Sequence, residues 1–72
     1  MQTLVFNTST KSAKLYEGNE SSAILYTFES VPTVKIEVGY YQVMQVDGTS
    51  TEDKRVPVAR FPVSNTNMLI KK

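Results

Sequence analysis

The sequence predicts an all-β domain, a small five- to six-stranded, mostly antiparallel barrel or compact sandwich. Three observations lead there. Residues 33–46, TVKIEVGYYQVMQV, alternate. Val34, Ile36, Val38, Tyr40, Met44 and Val46 fall on one parity, broken only by Gln42, and Thr33, Lys35, Glu37 and Gln45 fall on the other. Successive side chains of a strand point to opposite faces, so this is strand periodicity. Second, clusters of Gly, Pro, Asn and Ser recur about every 8–12 residues, the spacing of turns between short strands. Third, the stretch where a helix competes, residues 12–29, does not form one apolar helical face. Its second half is β-branched and aromatic, and Gly18 interrupts it. SH3-like and OB-like barrels fit the length, by fold-level analogy alone.

The elements follow in order. Thr3 to Asn7, TLVFN, is a short apolar strand, and the Ser/Thr/Asn cluster after it is a turn or loop. Ala13 to Glu17 is a weak strand. Gly18-Asn19-Glu20-Ser21 is a turn, because Gly and Asn tolerate positive φ. Ala23 to Glu29 is apolar on both parities and reads as a central strand buried on two sides. Pro32 has no N–H and holds Val31 extended, so the chain crosses to a new strand there. The spine is then a long hairpin over residues 33–63: a strand bent or bulged at Gly39, a polar loop over 47–54 begun by Asp47-Gly48, and a returning arm. A parity shift at Gly39 decides whether Tyr40 and Met44 or Tyr41 and Val43 point inward. The returning arm holds Pro57 and Pro62. They are five positions apart, an odd offset, so both cannot present their ring nitrogens to the same side of a regular strand. That predicts an edge strand with a bulge or kink between them. Ser64 to Asn67 turns the chain into a last short strand, Met68 to Ile70.

Seventy-two residues make one domain, 1–72, with a thin core. There is no Cys and no His, so disulfides and thiolate or imidazole metal sites are excluded. A partner chain is the natural supplement to so small a core. The N-terminus has no secretory-signal pattern and no apolar run is long enough to span a bilayer, which predicts a cytoplasmic protein. Asn7-Thr8-Ser9 and Asn19-Glu20-Ser21 match the glycosylation triplet, and without a signal peptide they read as chance. A 72-residue chain starting at Met suits a small phage or mobile-element accessory or virion protein, by base rate. Net charge is +1, unevenly placed: every acid lies before residue 54, and Lys54, Arg55, Arg60, Lys71 and Lys72 follow with none. Three arrangements satisfy this: strand pairing that neutralises both halves, a basic surface on the last strands, or complementarity between subunits.

The absences shape the chemistry. Without His or Cys no Ser-His-Asp or Cys-His constellation forms within one chain, and no phosphate-binding Gly motif is present. Asp47, Glu52 and Asp53 are the local carboxylate group, too sparse for an EF-hand. The expectation is a protein that is not an enzyme, has no cofactor and no metal, and acts by association with protein, itself or a foreign chain. Tyr40, Tyr41, Met44, Arg60 and Phe61 are the candidate interface residues, types enriched at interface centres and carried on one hairpin. The alternative is single-stranded nucleic-acid binding through Lys35, Tyr40, Tyr41, Arg55 and Arg60, with a tyrosine for base stacking and cations for phosphate. The modest net charge weighs against it.

Overall fold

The computed structural model describes residues 1–46 and 54–72. The expected loop 47–54, apart from Lys54, and the Asp47, Glu52, Asp53 group lie outside the described residues. The chain is all-β. Its strands are β1 (Gln2–Asn7), β2 (Ser12–Tyr16), β3 (Ile24–Phe28), β4 (Thr33–Glu37), β5 (Tyr40–Val46), β6 (Arg55–Pro62) and β7 (Thr66–Lys71), with a 3-10 turn, Val63–Asn65, before the last. They form two sheets, a four-stranded one ordered β3-β2-β1-β7 and a three-stranded one ordered β4-β5-β6. All neighbours are antiparallel except β1 and β7. Of the two expected architectures, a stacked pair of sheets describes the molecule; the described strands do not close a barrel.

The core lies between the sheets. Leu4, Phe6, Ala13 and Leu15 project from the larger sheet and Val34 and Val43 from the smaller, with Phe28, Tyr41, Ala59, Phe61 and Met68 packed around them. Register explains the selection. Leu15 lies opposite Leu4 and Tyr26, and Ala13 opposite Phe6 and Phe28. Cross-strand partners share a face, so these rows point inward together. Val31, fully buried, plugs one end, tied by its N–H to the Lys11 carbonyl at 2.7 Å. Each buried Leu or Val contributes about 1.5–3 kcal/mol over leaving it in water.

The spine departs from one long hairpin. Its first arm folds back at Val38–Gly39, where Gly39 takes φ +88, a conformation that disfavours any side chain. β4, β5 and β6 thus pair as three antiparallel strands with β5 in the middle, and the described residues hold seven strands. Folding at Val38–Gly39 puts Tyr41 and Val43 on the inner face with Val34, while Ile36 and Val38 are left in solvent. Two other expectations change. The strands buried on both faces are β1 and the middle of β5, the central members of their sheets; β3 is an edge strand and is largely exposed. The turn after β2 is present without positive φ. The Asn19 side chain accepts from the Ser21 N–H at 3.0 Å and the Ser22 hydroxyl accepts from the Gly18 N–H at 2.8 Å, so side-chain bonds set it. Among the described residues, the non-glycine positions with positive φ are Lys11 and Ser30.

Candidate functional site

The outer face of the smaller sheet gathers most of the expected cations. Lys35, Gln42 and Arg60 form one cross-strand row, and Tyr40 stands beside it. The Arg60 guanidinium lies 5.1 Å from the centre of the Tyr40 ring. With the Gln42 amide turned so that its oxygen faces β6, that oxygen accepts from Arg60 Nε at 3.0 Å and Nη2 at 3.3 Å. A ring and an amide therefore hold this cation while leaving its charge intact. Arg55 falls on the same face by register with Val46. Tyr41 does not: it faces the core, as does Phe61. Met44 is on the outer parity but buried. Of the candidate interface residues, Tyr40 and Arg60 thus remain on this surface. Of the nucleic-acid set, Lys35, Tyr40, Arg55 and Arg60 share one face.

The other notable surface is the side where β3 and β6 come together. Phe28 meets Phe61 edge to face, centroids 6.2 Å apart, and Tyr26 stacks obliquely on Phe28 at 6.3 Å. Around these rings is an open cleft of about 310 Å³ lined by Tyr26, Phe28, Val58, Ala59, Arg60 and Phe61. Tyr26 points to the core side by register with Leu15 but is 60% exposed, because nothing in the smaller sheet covers it.

The two edges flanking this cleft are guarded differently. On β6, the Val63 N–H donates to the Gly39 carbonyl at 3.1 Å. That phase continues through Phe61–Tyr41 and Ala59–Val43 as the bonded pairs, so Pro62, opposite Tyr40, turns its ring nitrogen outward. A regular strand would then aim Pro57 at β5 and break the ladder. The register shifts instead: Ala59 pairs with Val43 and Pro57 with Met44, leaving Val58 as the extra residue of a bulge. Both prolines consequently face the free edge, where their missing N–H groups discourage further pairing.

Nothing comparable protects β3. ILYTF carries no charge and no proline, and Ile24, Leu25 and Tyr26 are all exposed. The Glu17 N–H donates to the Ala23 carbonyl at 2.9 Å, and the register shift at Leu15–Tyr16 makes Leu25 the extra residue. The alternation then turns the backbone N–H and C=O groups of Ile24 and Thr27 away from β2. Sequence reasoning missed these residues. Their signal was a strand without Lys, Glu or Pro, and apolarity on both parities fits an unguarded edge as well as a central strand.

On the outer face of the larger sheet, Lys71 of β7 reaches Glu20, in the β2–β3 turn, at 2.5 Å. Its pKa is raised, first by that hydrogen bond and then by the carboxylate's charge. The C-terminal basic segment thus meets the acidic half of the chain within one molecule at this point. Among the described residues there is no group of three His, Cys, Asp or Glu arranged to hold a metal ion, and no helix is long and apolar enough to cross a membrane. No family model matches the chain, and comparison with curated proteins and with solved structures finds no match to either.

Proposed function

We propose that this chain is a non-enzymatic module that acts by associating with protein through the side where β3 and β6 meet. The observation that carries the reading is β3 itself, an apolar edge with outward backbone groups and no charge or proline to block them. Strand addition supplies main-chain hydrogen bonds, and alternate side chains of the added strand reach any adjoining pocket. Here that pocket is the cleft at Tyr26, Phe28, Val58 and Phe61. A cytoplasmic phage or mobile-element accessory or virion protein that assembles with itself or a host protein is the setting this proposal fits.

The test is selection of peptides from a displayed random library on the immobilised chain, repeated on a Leu25→Lys variant and on a Lys35→Glu variant. Ligands lost with Leu25→Lys and kept with Lys35→Glu support the reading. Ligands indifferent to Leu25→Lys, or a confirmed turnover, refute it.

A second reading has its own observation: Lys35, Tyr40, Arg55 and Arg60 lie on one sheet face. Single-stranded nucleic acid would stack on Tyr40 and place phosphates on the cations. Titration with oligonucleotides decides it, since phosphate contacts are strongest at low salt and absence of binding there removes the reading.

A further inference from the structure

We propose that β3 pairs antiparallel with β3 of a second copy of this chain, about a two-fold axis through Thr27, joining the two larger sheets into one continuous sheet. The proposal rests on the association reading above and names its partner. Four strands border the two sheets, and three carry a deterrent. β6 has its paired prolines, β4 has Lys35 and Glu37, and β7 ends in Lys71. β3 has none. Self-pairing consumes both open edges at once, whereas a foreign strand laid on β3 presents a new free edge of its own.

The register closes on itself. Thr27 turns its N–H and C=O outward, so Thr27 opposite Thr27 is a bonded pair that the two-fold axis maps onto itself. Tyr26 then lies opposite Phe28 of the second copy, and Phe28 opposite its Tyr26. Both pairs are on the inner face, continuing the ring contacts that Tyr26, Phe28 and Phe61 already make. Because residues 24–28 carry no charge, no like charges oppose each other, and a net charge of +1 per chain repels little. The open clefts of the two copies come together beneath the joined strands, covering Tyr26 and Val58. On β6, which then borders the junction, Pro57 and Pro62 keep the smaller sheets from pairing in place of β3.

The experiment is sedimentation equilibrium of the full chain from about 1 μM to about 1 mM, the range over which weak association shows. Wild type should rise from 8.1 kDa to twofold that mass. Thr27→Pro removes an N–H that β2 does not use and should stay monomeric; circular dichroism confirms that it folds. If it does not fold, Tyr26→Glu replaces an exposed ring and should abolish the dimer equally. Ile36→Lys, on the β4 edge, should dimerise as wild type does. A wild type monomeric at the highest concentration overturns the proposal and leaves association with a foreign chain to the peptide selection. A dimer that survives both Thr27→Pro and Tyr26→Glu also overturns it and places self-association elsewhere.

Discussion

Leu15→Ala tests the packing that positions everything else. Leu15 is 1% exposed and sits between Leu4 and Tyr26 in one cross-strand row. Truncating a buried leucine costs about 2–5 kcal/mol, through lost transfer energy and the cavity left behind. A chain of 72 residues has a total stability of about 4–11 kcal/mol at the usual increment per residue. The variant should therefore lose a large share of its stability, and at the upper end of the cost it should be substantially unfolded at room temperature. In a domain this small each kcal/mol lowers Tm by about 4–8 °C, so a drop of at least ~10 °C is expected. Urea denaturation is the assay, with the midpoint falling and the slope unchanged. Lys14→Ala, one residue away on the outer face, should stay within about 0.5 kcal/mol of wild type. A cost below about 1 kcal/mol for Leu15→Ala, with a larger one for Lys14→Ala, would refute the register, since a slip of one residue moves a strand's whole inward set to the other face.

Three further outcomes follow from the same packing. Gly39→Ala should destabilise by about 1–2 kcal/mol in a thermal melt through φ alone, since nothing lies within 4 Å of the added carbon. Deleting Val58 removes the bulge and leaves the two prolines an even distance apart, both still facing the free edge, so the β5–β6 ladder stays whole and the cost should be at most about 1 kcal/mol by denaturant titration. The Lys71–Glu20 contact raises the lysine's pKa, so its contribution is complete below the ordinary value of 10.5 and disappears as pH climbs through the raised value. The stability difference between wild type and Glu20→Gln should accordingly be small, constant near neutrality, diminished by salt, and absent in strong alkali.

The all-β class was legible because alternation and turn chemistry are local signals. The bulge in β6 was legible too, since two prolines an odd distance apart pose a parity problem with few solutions. The fold-back at Val38–Gly39 was not. Gly39 marked a departure from regular strand, but a bulge and a two-residue turn place the same demand on one residue; only the pairing of β4 with β5 separates them. The parity of Tyr40 and Tyr41 hung on that choice, which is why the expected interface set divided between a surface and a core. β3 misled for a related reason. Apolarity on both parities reports an absence of solvent-loving groups, and a strand can lack them because neighbours flank it or because its edge is open. Long-range order, not composition, decides between these. Arg60 was singled out as a cation, but the ring and amide that hold it come from β5 and meet it only through the register.

Amide hydrogen exchange along β3 bears most directly on the idea that this molecule acts through an open strand. In dilute solution the Tyr26 and Phe28 amides, directed at β2, should exchange slowly, and Thr27 between them should exchange quickly. Raising the concentration should slow Thr27 selectively. Uniform protection of all three at low concentration, or a Thr27 rate that neither concentration nor any selected peptide changes, would contradict the account.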